Sequence, residues 1–211
     1  MSNDAILVPA FDPPPPENPA RRKMLLWATG ATSAVGAGFW AVPFLSSWLP
    51  SERAKAVGAP VSVDLSKLEF GALQTVLWQG KVVFILRRSE EMLATLDKVK
   101  GDLRDPDSVE SLQPDYAKNA DRASNPEYLV MLGVCTHLGC APALESAEHG
   151  RSVRGDSDWQ GGFFCPCHGS KFDYSGRVYK GVPAPTNLTI PPYHFTAEKV
   201  VLVGADPATG A

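Results

Sequence analysis

Residues 135–140 read CTHLGC, and residues 165–170 read CPCHGS. These two boxes contain all four cysteines of the chain and two of its four histidines. Each box offers one thiol and one imidazole at short spacing, Cys-x-His in the first and Cys-x-x-His in the second, and each has one further cysteine. Two thiolates with two imidazoles form a soft, mixed ligand set that suits an iron–sulfur cluster or zinc. The two remaining cysteines are enough for one disulfide.

Both boxes resemble, residue for residue, those of the Rieske iron–sulfur proteins, in which two histidines replace two cysteines on one iron of a 2Fe–2S cluster. The resemblance implies that Cys135 and Cys165 bind one iron, while His137 and His168 bind the other. It also implies a disulfide between Cys140 and Cys167 that ties the two cluster loops together, within a cluster-binding region of about residues 133–185. The cofactor expected from it is one Rieske-type 2Fe–2S cluster.

A structural zinc site with two cysteines and two histidines is the alternative that the residue types allow. That reading gives Cys140 and Cys167 no role and does not explain the residues that flank the ligands. The other two histidines, His149 and His194, lie outside the boxes, and we assign them no function.

Length and charge set the frame around the boxes. A chain of 211 residues predicts one domain with appendages, and a net charge of −3 gives no sign of nucleic-acid binding. No residue from Met24 to Ser51 is ionisable at neutral pH. The apolar run Met24–Leu45 is long enough as a helix to cross a membrane. We therefore predict a transmembrane anchor over residues 24–49, with Trp48 at the far interface.

The basic run Arg21–Lys23 precedes the anchor, so the positive-inside rule puts residues 1–23 in the cytoplasm and the remainder outside. Paired arginines also resemble a twin-arginine export signal, which carries folded proteins that already hold a cofactor. A cleaved signal peptide stays open because Ala54-Lys55-Ala56 has the small-x-small form of a cleavage site. A buried helix and a mitochondrial transit peptide are further alternatives, but the acidic residues before Ala20 favour a bacterial chain in the inner membrane.

We expect the segments on either side of the anchor to lack a fold of their own. Residues 1–20, with prolines at positions 13–16, are expected to be disordered or polyproline II. Residues 50–60 are small and polar and predict a flexible tether, which in the Rieske family is the hinge on which the head domain moves.

From Val61 the sequence alternates in the manner of β-strands, which predicts an all-β, antiparallel domain of stacked sheets over residues 61–211. A two-residue turn at Gln79-Gly80 predicts a hairpin, and Ser89 predicts the start of a short helix over Glu90–Lys100. The predicted strands are Pro60–Leu65, Leu73–Trp78, Lys81–Leu86, Tyr128–Val134, Gly162–Phe164, Arg177–Lys180 and Lys199–Val203. Rieske domains have such a fold, with the cluster loops at one tip.

The resemblance also implies an activity. With a membrane anchor, it points to the iron–sulfur subunit of a respiratory cytochrome bc complex, a quinol–cytochrome c reductase, in which His137 and His168 serve the reaction and His168 contacts the quinol. The implied partners are cytochrome b, a c-type cytochrome, quinol and the membrane, in a homodimeric complex. Alternatives within iron–sulfur chemistry are a subunit of a cytochrome b6f-type complex or of a Rieske oxidase, and a soluble Rieske ferredoxin or oxygenase component.

Family features near the boxes map onto further residues. Leu138 and Gly139 would lie at the docking tip, and Gly181–Pro185 resembles the proline loop that covers the cluster. Ser170 would donate a hydrogen bond to a bridging sulfide. Many respiratory members have a tyrosine where this chain has Phe172, so a very high reduction potential is not expected.

Overall fold

The computed structural model describes residues 18–207, which fall into two compact units that divide after Ser51. The first unit is the helix α1, Pro19–Ser46. Its start is fixed by Asn18, whose side chain accepts a hydrogen bond from the Arg21 amide, and by Pro19 in the first turn, where the missing N–H costs nothing. The helix therefore begins five residues before the apolar run that starts at Met24. The prolines at positions 13–16, for which disorder or polyproline II was predicted, lie outside the described residues.

By length and apolar composition α1 is able to cross a membrane, and all of its residues are exposed. Helix α1 ends at Ser46. The predicted anchor extended to residue 49 and included Trp48, which instead lies two residues after the helix. Pro43 lies inside the last turn, where a proline removes one backbone donor and bends a helix.

The second unit begins with a short helix in the segment that we predicted as a flexible tether. Helix α2, Glu52–Gly58, contains the ion pair between Lys55 and Glu52 at 2.7 Å. Alanine, arginine, lysine and glutamate are strong helix formers, which explains helix formation in a segment that the sequence analysis did not predict to be regular. The amide of Gln79 donates to the Val57 carbonyl at 3.3 Å.

The rest of this unit is antiparallel β-structure, as predicted. Among the described residues its strands are β1 Val61–Asp64, β2 Leu73–Trp78, β3 Lys81–Arg87, β4 Tyr128–Leu132, β5 Ala143–Glu145, β6 Gly162–Cys165, β7 Ser170–Phe172, β8 Tyr193–Ala197 and β9 Val200–Val203. They form three three-stranded sheets in the orders β1-β9-β8, β2-β3-β4 and β5-β6-β7. Two short α-helices, α3 Glu90–Thr95 and α4 Ala147–Arg154, lie in the connections.

The core is contributed by all three sheets. β4 is buried along its whole length, as expected for a strand covered on both faces. Phe84 of β3 stacks on Phe163 of β6 with ring centroids 6.0 Å apart. This contact joins the sheet β2-β3-β4 to the sheet β5-β6-β7, which carries the second box.

The hairpin between β2 and β3 confirms the predicted turn. Trp78 pairs with Lys81, and both turn residues have positive φ, 50° at Gln79 and 72° at Gly80, as a type I′ turn requires.

Two of the predicted elements are wrong, and some observed elements were not predicted. Helix α3 ends at Thr95, not at Lys100, and the residues that follow form turns and a 3₁₀ turn, Lys100–Asp102. Arg177–Lys180 is not a strand but makes two isolated bridges, through Val178 and Tyr179. The sequence analysis also missed β5, β7, β8 and α4; β5 and β7 have only three residues each, too few to show a period of two.

Candidate metal centre

The first box forms the loop that follows β4 and leads to β5. The Cys135 amide donates to the Cys140 carbonyl at 2.8 Å, and the Gly139 amide donates back to the Cys135 carbonyl at 2.9 Å. Gly139 has φ +84°, a conformation that favours glycine. The two hydrogen bonds close the loop on itself.

The second box is the loop of the hairpin between β6 and β7. Cys165 ends β6 and pairs with Ser170, which begins β7. The Gly169 amide donates to the Cys165 carbonyl at 3.0 Å, and Gly169 has φ +77°. Both boxes thus use the same turn, in which a glycine four residues after the first cysteine closes onto that cysteine's carbonyl.

A disulfide between Cys140 and Cys167 joins the two loops, as the resemblance implied. The sulfur of Cys165 lies within 4.8 Å of both disulfide sulfurs. These three sulfurs are not a ligand set, because the disulfide has consumed two of the thiols. The thiols that remain for a metal are Cys135 and Cys165, which are both buried.

Burial raises the pKa of the Cys135 thiol, and the neighbouring Cys165 raises it further, while the Ser170 hydroxyl lowers it by hydrogen bonding. A desolvated thiolate pair needs a compensating cation. Bound metal would supply that charge, so the chemistry of this pocket fits a metal site better than it fits two free thiolates.

The two histidines of the boxes lie side by side. The ring centroids of His137 and His168 are 4.8 Å apart with the planes at 84°. His137 is half-buried and His168 is exposed. The loops therefore bring together two imidazoles, one of which is open to a partner molecule.

Residues next to the boxes show which family features the chain retains. Ser170 is buried, and its Oγ accepts a hydrogen bond from the Ala184 amide at 3.1 Å. Phe172 is fully buried and has no hydroxyl to offer. The Tyr174 hydroxyl donates to the Glu145 carbonyl at 3.4 Å, so it is engaged elsewhere and does not replace the missing tyrosine.

The segment 181–187 covers one flank of the boxes. Besides the contact of Ala184 with Ser170, the Thr136 hydroxyl of the first box donates to the Thr186 carbonyl at 2.7 Å. The sequence analysis predicted a proline loop here, but it missed the Thr136 contact, for which the sequence holds no signal. Leu138, at the end of the first box, is 72 % exposed.

The remaining histidines take no part in this arrangement. His149 lies on α4, where its amide donates to the Ser146 side chain that caps the helix. His194 lies on β8 with its Nδ1 3.1 Å from the Ala205 carbonyl. Each has local contacts of the kind expected for a histidine without a functional role.

Two thiols and two imidazoles at one end of the domain are the donors that a 2Fe–2S cluster with mixed ligands requires. The same donors suit zinc. The disulfide accounts for the two cysteines that the zinc interpretation left without a role.

Comparison with known proteins separates these possibilities. Residues 63–193 match the family model of the Rieske [2Fe-2S] domain, and residues 13–51 match the model of the ubiquitinol-cytochrome C reductase Fe-S subunit TAT signal.

The chain is 53% identical over 189 residues to the ubiquinol-cytochrome c reductase iron-sulfur subunit of Allochromatium vinosum, and the match covers 90% of each chain. It is 40% identical over 185 residues to the subunit of the same name from Rhodospirillum rubrum, covering 88% of this chain and 92% of the relative. A chain of a hyperthermophilic respiratory complex III matches over 82% of this chain and 96% of its own length, with 28% identity and a TM-score of 0.45.

Proposed function

Because the chain belongs to the family of Rieske iron–sulfur subunits of ubiquinol–cytochrome c reductase, we propose that it accepts one electron at a time from a quinol and passes it to a c-type cytochrome. The observation that supports this most directly is the joining of the two boxes at one exposed end of a β-domain, with a disulfide between them and two imidazoles side by side.

Four side chains would hold the cofactor. The thiolates of Cys135 and Cys165 would bind one iron, and the imidazoles of His137 and His168 would bind the other. The 2Fe–2S cluster supplies one-electron chemistry, at a potential that imidazole ligands raise above that of an all-cysteine cluster. Burial of the two thiols keeps water from the ligating sulfurs, while the histidine side remains open.

His168 is the residue proposed to receive the proton of the quinol. One ring nitrogen would bind the metal, and the other would remain on an exposed ring. A bound cation favours loss of the proton from that second nitrogen, and once deprotonated it can accept a hydrogen bond from a quinol hydroxyl. His137 is half-buried and is proposed to serve as ligand without the same access.

The exposed tip gives the partners a place to dock. Leu138, which follows His137 in the first box, presents a large apolar side chain to solvent. We assign this tip to alternating contacts with cytochrome b, where quinol would be oxidised, and with the c-type cytochrome subunit.

The N-terminal unit is proposed to anchor the subunit. Helix α1 has the length and composition of a membrane span, and its first turn contains the basic residues Arg21 and Arg22. We propose that residues 1–23 stay in the cytoplasm as an uncleaved twin-arginine signal and that the β-domain lies on the periplasmic side of the bacterial inner membrane. The complex would be a homodimer, and residues 50–60 would act as the tether of the head domain.

Isolation from the native membrane tests the proposal. The tagged chain, extracted in mild detergent, should co-purify with b-type and c-type haems, and quinol should reduce the c-type haem in the isolated complex. A preparation that contains iron but no b-type haem would instead favour a Rieske oxidase or a soluble electron carrier. A preparation with haems that does not respond to quinol would contradict the proposal.

A further inference from the structure

The segment 181–187, which we call the cover segment, touches both boxes. Its Ala184 amide donates to Ser170 Oγ of the second box, and its Thr186 carbonyl accepts from the Thr136 hydroxyl of the first. Ala184 is completely buried. The position of this segment therefore decides where the Ser170 hydroxyl points and how the two loops are spaced.

A second segment, residues 104–111, lies behind the cover segment, and we call it the brace. It is folded around the buried carboxylate of Asp105. That carboxylate accepts from the Val109 amide at 2.8 Å, the Glu110 amide at 3.1 Å and the Ser111 hydroxyl at 2.8 Å. Three donors on one buried carboxylate give the loop a single well-defined conformation.

The backbone of the brace is held in an unusual conformation at one position. Ser108 has φ +54° although it carries a side chain, and only 2 % of its surface is exposed. Such a residue persists only where its surroundings determine its conformation. Its carbonyl accepts from the Gln113 amide group at 2.6 Å, and its hydroxyl contacts Asn187.

Asn187 connects the brace to the cover segment. Its side-chain amide donates to the Asp105 carbonyl at 2.9 Å and to Ser108 Oγ at 2.9 Å. Its own backbone amide donates to Ser111 Oγ at 3.3 Å. Its side-chain oxygen accepts from the Val178 amide at 2.8 Å, so this one buried residue links three separate stretches of chain.

We propose that Asp105, Ser111 and Asn187 are positioning residues for the metal centre. They act through the cover segment, which they hold against Ser170 and Thr136, and they touch neither quinol nor the metal ligands. A hydroxyl tunes an iron–sulfur cluster only where it is directed at a sulfur. The network of Asp105 and Asn187 therefore sets the reduction potential from a distance. This inference rests on the proposed function, since it takes the boxes to hold a Rieske cluster.

Charge-neutral variants of the full chain test this proposal, because a change of charge would shift the potential by itself. Ser111→Ala removes the hydroxyl that joins Asp105 to the Asn187 amide, and Ser111→Thr keeps it. Asn187→Ala removes the side-chain hydrogen bonds to Asp105, Ser108 and Val178 and leaves only the backbone contact with Ser111. Val201→Ala in β9 is the matched control: Val201 is fully buried, but among the described residues β9 makes no hydrogen bond to the cover segment.

Two quantities are measured on each purified protein. The first is the midpoint potential of the cluster at fixed pH, and the second is the rate of hydrogen exchange at the Ala184 amide by mass spectrometry. Ser111→Ala and Asn187→Ala should each lower the potential and speed exchange at Ala184 by at least tenfold. Ser111→Thr should restore both values, and Val201→Ala should lower thermal stability while leaving both unchanged.

The proposal fails if Ser111→Ala, with its cluster bound, has the wild-type potential and the wild-type exchange rate at Ala184. It also fails if Val201→Ala shifts the potential as much as Ser111→Ala does, because the effect would then be general destabilisation. The parent protein separates this failure from that of the proposed function, since a parent without a reducible iron–sulfur cluster would refute the function itself.

Discussion

His137 and His168 meet edge to face, with ring centroids 4.8 Å apart, although they lie 31 positions apart in the sequence. Two loops of the same construction bring them together, each closed by a glycine amide on the first cysteine's carbonyl. One ring is half-buried and the other exposed. The arrangement therefore gives the centre a protected side, where the thiols lie, and one open side for a partner.

The disulfide is expected to hold the two loops in this relation. It links residues 27 apart, and a crosslink of that span stabilises a domain by about 3.5 kcal/mol through the entropy of the unfolded chain. Replacing both cysteines, Cys140→Ser with Cys167→Ser, should lower the free energy of unfolding by that order and make the cluster labile. The double variant removes both thiols of the disulfide, so neither is left to bind metal.

Thermal unfolding measures the first effect, and the decay of the cluster's visible absorbance measures the second. Mass spectrometry of the unreduced parent protein should find Cys140 and Cys167 bonded to each other. A double variant that retains its cluster as long as the parent does would show that the loops need no crosslink.

We expect two residues to tune the reduction potential of the cluster, Ser170 in the second box and Phe172 two residues after it. A hydrogen bond to a thiolate or sulfide favours the more negative, reduced cluster, so Ser170→Ala should lower the midpoint potential and Phe172→Tyr should raise it. A bond to a charged group contributes about 1.5–3 kcal/mol, of which only the difference between oxidation states counts. At about 59 mV per tenfold change for one electron, each shift should be some tens of millivolts.

Redox titration at fixed pH checks both substitutions. Lys171→Arg, one residue from each site and part-exposed, keeps the positive charge and is a suitable control for local disturbance. If Phe172→Tyr leaves the potential unchanged or lowers it, then Phe172 does not occupy the family's tyrosine position beside Cys135.

The tether prediction takes a new form because residues 52–58 are helical. If helix α2 must unwind as the head moves, a stronger helix should slow electron transfer to the c-type haem. Gly58→Ala favours the helix by about 1 kcal/mol, and an added Cβ would meet no other atom within 4 Å. We expect up to a fivefold slower transfer with an unchanged cluster spectrum.

Gly101→Ala is the matched control, since Gly101 is also exposed and has open space around an added Cβ. Flash-induced or stopped-flow reduction of the c-type haem gives the rate. An equal rate in Gly58→Ala and the parent would argue that the segment is a passive spacer.

The anchor helix offers a face of small residues for a neighbouring helix. Gly30, Ala34 and Gly38 recur at intervals of four, and the surface around Gly38 forms an apolar notch between Val35 and Phe39. Close approach of backbones at such faces drives association of membrane helices. Ala34→Leu with Gly38→Leu should therefore reduce assembly with the cytochrome subunits.

The control places the same two leucines on the opposite face, as Thr32→Leu with Gly36→Leu, because positions two residues apart lie about 200° apart around a helix. Assembly is measured as the ratio of b-type haem to tagged subunit after purification. The small-residue face has no role if both double variants assemble as the parent does.

How much of this centre was predictable depends on how local each feature is. The resemblance of the two boxes to a known family implied the disulfide, and the hairpin at Gln79-Gly80 follows from a short motif in which residue type and spacing carry the information. The brace does not, because Asp105 and Asn187 are 82 residues apart and each alone is an ordinary polar residue in a loop. Their link exists only in the folded chain.

Helix boundaries were less predictable for a similar reason. The apolar run marked where α1 lies in the sequence, but its start depends on a single capping contact between Asn18 and the Arg21 amide. Helix α2 was overlooked because proline and glycine near residues 58–60 favoured a linker, whereas the intrinsic preference of residues 52–57 for helix is stronger. Arg177, at the start of the sixth predicted strand, is instead fully buried and paired with Asp173 at 2.7 Å.

The central claim is that the two boxes hold a Rieske cluster. Metal and acid-labile sulfide analysis, combined with the EPR spectrum of the reduced protein after gentle anaerobic purification, tests it most directly. The account predicts two irons and two sulfides per chain and a reduced spectrum with nitrogen couplings from two histidines. Both nitrogen couplings should be absent from the double variant His137→Cys with His168→Cys. Zinc in place of iron, or a reduced cluster with no nitrogen couplings, would contradict it.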